Sequence, residues 1–346
     1  MLTRDELRLV DALQLAPRAP WAAVGGVLGT APVTASRRWA ELVEDGTAWV
    51  TAAPGMARHN AQCVAYVEIT CRPEHVLGVA TAIATHPLAV TVELTTGSAD
   101  ILVTVAAVDL RTMSHYLLQH LSCVENVQSS RARIATRIYS EGSAWRLRVL
   151  EDPAVRRLEQ IRRQQMSEDV AIPPEQPSEQ VKSMLTHLAL NGRASFVELA
   201  ERSGTSVTTA RRHMSRLLHA GVILLRTDVN AFAVNWPVQV YLWADAPVER
   251  LDETARIISR FPQARLTATV AARPSLALCA WLRTVEEVHR LEMAIAAKAT
   301  DFEVMDRLIV LRQVKRMGRL LDEQGRAVGV VPINIWDDLL PHAEAG

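Results

Sequence analysis

Asn191-Gly192-Arg193-Ala194-Ser195-Phe196-Val197-Glu198-Leu199-Ala200, then Gly204-Thr205-Ser206-Val207-Thr208-Thr209-Ala210-Arg211-Arg212 and Gly221-Val222-Ile223, carry the architecture of this chain. Ser195 with Glu198 three residues on forms a capping box, so a helix opens there and buries Phe196 and Leu199. Gly204 ends it in the left-handed conformation. Ser206 caps a third helix over 207–220, with Ala210, Met214 and Leu217 inward, and Gly221 stops it before a short apolar strand. Upstream, Val181, Met184, Leu185 and Leu188 share one face of a helix that Ser178 is placed to cap. Three short helices, a glycine turn and a strand predict a winged helix-turn-helix. Thr208, Thr209, Arg211, Arg212, His213 and Arg216 fall off the apolar face, where they can reach base edges and phosphates of double-stranded DNA. The plainer alternative is a small bundle with a solvated arginine face. Residues 178–230 hold seven Lys and Arg against four acids, a modest local excess.

Working outward, the chain matches itself at a shift of 175 residues. Leu13 falls on Leu188, Arg18-Ala19 on Arg193-Ala194, Trp21 on Phe196, Gly29-Thr30 on Gly204-Thr205, Arg37 on Arg212, Gly46 on Gly221 and Tyr66 on Tyr241. One two-domain unit present twice is the simplest account. The first copy is degraded. Thr3 and Glu6 keep a capping box, but Pro20 and Ala31 replace the caps Ser195 and Ser206. Gly25-Gly26 also interrupt the second helix, at roughly 1 kcal/mol each relative to Ala. Residues 1–50 hold five basic and six acidic side chains. Thr34, Ser36, Arg37 and Arg38 are expected to form a weaker DNA-reading surface, or this head serves mainly in packing.

The second half of each copy alternates as β-α-β-β-α-β, a ferredoxin-like order. In the first copy the segments are 62–71, 73–84, 90–96, 101–107, 109–121 and 127–138. In the second they are 238–244, 248–261, 266–271, 276–282, 285–298 and 305–314. The fold class is therefore α+β: a winged helix-turn-helix plus a βαββαβ domain, the pair present twice. Expected boundaries are 1–56, 60–142, a linker at 143–177, 178–232, 236–318 and a tail at 319–346. The linker reads as a polar helix over 152–166, then the proline-stiffened stretch 172–177. The two sheets can pack on each other within one chain, and further homo-oligomers are expected.

Composition narrows the function classes. The 346 residues carry 38 basic and 38 acidic side chains and are 49% hydrophobic, an ordinary globular balance that gives DNA binding no help beyond local patches. No run approaches the ~18 apolar residues of a membrane span, so no membrane partner is expected. Four cysteines without a CxxC pair suggest a reducing cytoplasm and no zinc knuckle. No HExxH, GxSxG, GxGxxG or P-loop is present, so no catalytic residue, metal or cofactor is expected. His115 and His120, five apart on one predicted helix, share a face poorly and are expected at the surface.

The run from Asn191 to Ile223 resembles the Lrp/AsnC family of transcription regulators, whose recurrent pattern it follows through Gly192-Arg193-Ala194-Ser195, Glu198-Leu199-Ala200, Gly204, Ser206, Arg211-Arg212 and Gly221-Val222-Ile223. Thr96-Gly97-Ser98-Ala99-Asp100 is similar to the turn between the middle strands of that family's ligand domain. The resemblance implies a DNA-binding regulator whose ferredoxin-like domains dimerise and sense an amino acid or related small metabolite. Thr96, Gly97, Ser98 and Asp100 would then belong to the effector site, although Gly and Asp also suit an ordinary hairpin turn. The second copy has Ala271-Ala272-Arg273-Pro274-Ser275 there instead. Two rivals share the fold. Sirohaem decarboxylases also pair two such units, with Tyr241, Arg273 and His289 as scattered candidates for a tetrapyrrole pocket. The other rival is a metabolite sensor or assembly protein with decayed heads.

Overall fold

The computed structural model describes residues 1–55, 62–165 and 178–335. The chain begins with α1 (Arg4–Leu15), α2 (Trp21–Leu28), α3 (Pro32–Glu44) and β1 (Ala48–Pro54). It continues with β2 (Cys63–Cys71), α4 (Val76–Ala84), β3 (Ala89–Thr95), β4 (Ile101–Ala107), α5 (Leu110–His115) and β5 (Val127–Ser140). After α6 (Asp152–Gln165) the order recurs as α7 (Glu179–Leu190), α8 (Phe196–Ser203), α9 (Val207–His219) and β6 (Ile223–Val229). Then come β7 (Val238–Asp245), α10 (Leu251–Ile258), β8 (Ala264–Val270), β9 (Leu276–Leu282), α11 (Glu287–Ala296) and β10 (Glu303–Arg316). The proline-rich stretch 172–177 and the tail beyond 335 lie outside the described residues. Among the described residues, no helix is long and apolar enough to cross a membrane.

These elements sort into two compact units. The first holds both helical heads together with residues 146–165 and 326–332. Local signals start its helices. Thr3 and Ser195 each form the capping box read from sequence, and the Ser206 hydroxyl accepts from Thr209 N. Ser178 sits at the N-cap of α7 with extended backbone but makes no cap bond; its hydroxyl turns to Gln180 Oε1. Gly29 and Gly204 end α2 and α8 at φ +71° and +63°.

Among the described residues, the strand after each third helix has no strand partner within its own head. Instead β1 and β6 pair antiparallel from Ala48↔Val229 to Pro54↔Ile223. Thr51 pairs with Arg226, its own counterpart at the 175-residue offset, so the pairing is centred on an approximate dyad. Two arginines repeat that symmetry. Arg18 donates to the carbonyls of Gly192 and Ala194, both at 2.8 Å, and lies over the Phe196 ring. Arg193 donates to the carbonyls of Pro17 and Ala19 and lies 4.0 Å over the Trp21 ring. Burial pulls both guanidinium groups down to about 10, which leaves them charged at neutral pH. Asp11, fully buried on α1, accepts from Arg146, Val149 N and Leu150 N and ties the segment before α6 to the head.

The second unit is a closed ring of antiparallel strands in the order β10-β3-β4-β2-β5-β8-β9-β7 and back to β10. Each βαββαβ half supplies four of them. Helices α4 and α5 cover one outer face around Val79, Ile83 and Met113. Helices α10 and α11 cover the other around Ala255, Ile258 and Leu291. Between the sheets lies an inner core that includes Tyr66, Tyr241, Trp243 and Leu308, joined by Ile335. After α5 the chain passes into a π turn over Tyr116–His120, where a continuous α-helix was expected to 121.

The glycines of α2 have different roles. A Cβ on Gly25 would meet the Thr30 carbonyl oxygen at 2.6 Å, so the glycine lets the following turn fold back onto the helix. A Cβ on Gly26 would meet nothing nearer than the Arg157 guanidinium at 3.9 Å. Gly26→Ala is therefore expected to stabilise the protein by about 0.5–1 kcal/mol through helix propensity. Gly25→Ala should destabilise it by at least about 1 kcal/mol through backbone collision. Urea unfolding of the two variants checks the opposite signs.

Candidate nucleic-acid interface and ligand-domain turn

Helix α9 is held by its Ser206 cap at one end and by buried Ala210, Met214 and Leu217 along its inner face. Its outer face follows from that packing. Thr208, Arg211 and Arg212 are exposed, and Thr209, His213 and Arg216 are partly exposed. All six residues singled out in the sequence thus lie off the buried stripe. Arg211 rests 4.7 Å over the Phe196 ring, which aligns its stem along the α8–α9 corner. Thr209 shares its hydroxyl with Ser206 at 2.9 Å. Burial, then the charges of Arg212 and Arg216, hold the His213 imidazole below its ordinary value. The face can donate hydrogen bonds and positive charge to an anionic groove.

On α3, Thr34, Ser36 and Arg38 are partly exposed and Arg37 is exposed. Pro32 takes the first helical position, and Ala31 supplies no side-chain cap. Arg38 is paired with Asp5 at 3.0 Å, and Arg37 lies 3.8 Å from Glu41.

The turn Thr96–Asp100 is engaged by its own chain. Ile309 N donates to the Thr96 hydroxyl, and Thr96 N donates to the Ile309 carbonyl. The Ser98 hydroxyl meets Asp306 Oδ2 at 2.5 Å. Asp100 Oδ2 accepts from Cys71 N at the end of β2. Gly97 has φ +89°, and a Cβ there would meet the Arg307 carbonyl oxygen at 2.9 Å. The four residues therefore sit together, with their polar groups used to hold this turn to β2 and β10. In the second copy the arrangement is inverted: Ser275 N, at the position of Asp100, donates to Asp245 on β7.

Two clusters in the second unit went unread in the sequence. Glu93, 1% exposed, takes hydrogen bonds from Gln239 and Gln313 at 2.6 and 2.8 Å between the sheets. Burial pushes its carboxyl up, against the hydrogen bonds of Gln313, Tyr241 and Gln239. The alternation of buried Thr91, Glu93 and Thr95 along β3 was the available signal. The π turn makes the second cluster. It brings the His115 and His120 rings within 5.4 Å of each other, and His120 lies 5.0 Å from His86. The five-residue spacing expected to separate His115 from His120 is the repeat that a π turn aligns. The Lys315 ammonium, fully buried, donates to the His86 carbonyl, and burial lowers it to about 7. Of the tetrapyrrole candidates, Tyr241 is buried in β7, whereas Arg273 and His289 are exposed on a turn and on α11. Among the described residues, no group of three or more His, Cys, Asp or Glu is placed to hold a metal ion.

Comparison with known proteins places two segments. Residues 64–145 match the Lrp/AsnC ligand binding domain, and residues 179–223 match the winged helix-turn-helix DNA-binding family. Two uncharacterised HTH-type transcriptional regulators, PH0140 of Pyrococcus horikoshii and PYRAB01370 of Pyrococcus abyssi, are each 22% identical over 138 residues, 40% of this chain and 87% of theirs. Among solved structures, the siroheme decarboxylase NirDL in co-complex with an iron-uroporphyrin III analogue superposes with a TM-score of 0.55. That match covers 90% of this chain and 93% of NirDL at 14% identity, a likeness of fold. The chain thus joins an Lrp/AsnC-type ligand domain to a winged helix-turn-helix of the kind found in transcriptional regulators.

The histidine cluster has a pH signature. Burial, followed by His120 and Lys315, lowers His86 from 6.5 to about 4. Its Nδ1 accepts from Leu88 N. Between those two values the unfolded chain binds a proton that the folded chain refuses. The contribution is whole above pH 6.5 and is lost as pH falls toward 4. His86→Asn, which keeps an acceptor for Leu88 N, is expected to flatten the fall in unfolding free energy between pH 6.5 and 4.5. Urea titrations at several pH values read it, and an unchanged slope removes His86 as the source.

Proposed function

We propose that this protein is a sequence-specific DNA-binding transcription regulator built from two fused Lrp/AsnC-like units. The observation that carries this reading is the outer face of α9. Thr208, Arg211 and Arg212 stand exposed on a capped, well-buttressed helix within the segment that matches winged helix-turn-helix DNA-binding domains. Thr209, His213 and Arg216 flank them. Thr34, Ser36, Arg37 and Arg38 lie on α3 of the N-terminal head. The paired βαββαβ halves take the part that two subunits play in a dimer. Thr96, Gly97, Ser98 and Asp100 form the effector-responsive turn, because this turn fastens the first half's sheet to β10 of the second half. The effector class is an amino acid or related small metabolite, by analogy with the matched ligand domain.

The test is a salt-titrated binding assay on duplexes selected by the full chain. Arg211→Ala with Arg212→Ala is expected to weaken binding at least about tenfold and to lower the salt slope by about one per phosphate contact removed. Unchanged affinity and slope reject α9 as the reading element. Ser98→Ala should blunt any change in affinity produced by individual amino acids. A second reading, a decarboxylase of sirohaem-like tetrapyrroles, is favoured by the likeness to NirDL along nearly the whole chain. It predicts a visible absorbance change and loss of carboxylate on incubation with sirohaem. The surface positions of Arg273 and His289 weigh against it.

A further inference from the structure

The two third helices occupy equivalent places at the 175-residue offset, yet four of the six outward positions differ, Thr209/Thr34 and Arg212/Arg37 being the two that agree. Thr208 corresponds to Val33, which is 79% exposed; Arg211 corresponds to Ser36; Arg216 corresponds to Glu41. The basic residues that remain on α3 are already engaged. Arg37, the counterpart of Arg212, faces Glu41, and Arg38, the counterpart of His213, is paired with Asp5. No acidic residue lies on α9, and among the described residues no ion pair holds Arg211, Arg212 or Arg216. The preceding helices differ in the same sense. Helix α8 has its Ser195–Glu198 capping box and carries Arg202, whereas α2 is Trp-Ala-Ala-Val-Gly-Gly-Val-Leu without a charged side chain or a side-chain cap.

Operator symmetry ordinarily mirrors protein symmetry. Here the β1–β6 pairing and the Arg18/Arg193 clasp give the heads an approximate dyad, but both arginines of α3 are held in ion pairs whereas, among the described residues, those of α9 are not. Resting on the DNA-binding reading above, we propose that the chain recognises an asymmetric duplex site. Helix α9 reads bases in the major groove of one half-site, and α3 makes no base-specific contact. Phosphates beside α3 would meet Glu41 and Glu44, which oppose close approach, and the exposed Val33 offers no hydrogen bond.

The experiment selects duplexes from a random-sequence library with the full chain and measures affinities by fluorescence anisotropy. Three results are expected. The consensus is a single half-site without an inverted counterpart. Arg212→Ala weakens binding about tenfold or more, whereas Arg37→Ala with Arg38→Ala changes it less than about twofold. The variant Val33→Thr/Ser36→Arg/Glu41→Arg, all at surface positions of α3, selects inverted repeats centred about one helical turn apart. An inverted repeat selected by the unmodified chain, or an equal loss from the two α3 substitutions, overturns the asymmetry and leaves DNA binding intact. Failure of the triple variant to select inverted repeats while its thermal unfolding is unchanged also overturns it, because α3 would then be turned away from the groove. No enrichment of any sequence overturns the DNA reading itself and this inference with it.

Discussion

The ring of the second unit depends on two long strands that each serve two sheets. Val127–Ser140 pairs with β2 from residue 127 to 134 and with β8 from 135 to 140. Glu303–Arg316 pairs with β7 from 303 to 310 and with β3 from 310 to 316. The changeover falls at equivalent positions, because Ala135↔Val270 and Thr95↔Val310 are the same pair shifted by 175. A four-stranded βαββαβ sheet alone leaves two open edges and one bare apolar face. Closure satisfies both edges and buries Tyr66, Tyr241 and Trp243 between the sheets. Each half is thereby completed by the other.

A scaffold closed in this way has one backbone plan in both halves while their side-chain chemistry differs. Glu93, Gln239 and Gln313 form a hydrogen-bonded cluster on one side of the inner core. Their counterparts at the 175-residue offset are Ala268, Val64 and Ile138, all apolar and buried. The same backbone geometry therefore holds a polar site once and an oily one once. A buried carboxylate without partners would be costly, and the two amides supply hydrogen bonds to Glu93. The Asp100–Cys71 and Ser275–Asp245 bonds show a gentler form of this difference. The carboxylate sits on the middle turn in one half and on the first strand in the other, and both halves link turn to strand.

What could be read from the sequence was local. Capping boxes at Thr3 and Ser195, the left-handed Gly204 and the two βαββαβ patterns depend on neighbours within a few residues, and each appears where the residues place it. The features that escaped depend on partners far along the chain. Arg18 and Arg193 were visible as a repeated Arg-Ala pair, but nothing in either stretch says that each guanidinium reaches the other's turn. Ser178 has the right type for a cap and does not act as one, because its hydroxyl faces Gln180. The π turn that aligns His115 with His120 left no trace in the spacing of Met113, Leu117 and Leu121, which fits a regular helix equally well. The outer face of α9 was legible because burial of Ala210, Met214 and Leu217 leaves little choice about what faces outward.

The family matches fall on complementary halves: the ligand domain of the first copy and the helix-turn-helix of the second. Physical support of one head by the other explains how α2 is held despite weak helix signals of its own. Helix α2 has eight residues, two of them glycine, and no capping side chain, so it is too short to be stable alone. Its entry is fixed from outside. Arg193 of the well-formed head binds the carbonyls of Pro17 and Ala19 immediately before α2 and stacks on Trp21, its first residue. The strand that follows α3 is held along its length by β6. Those long-range contacts order the backbone where α2 and α3 lack strong helix signals of their own. Val33 and Glu41, both exposed on α3, take no part in that support.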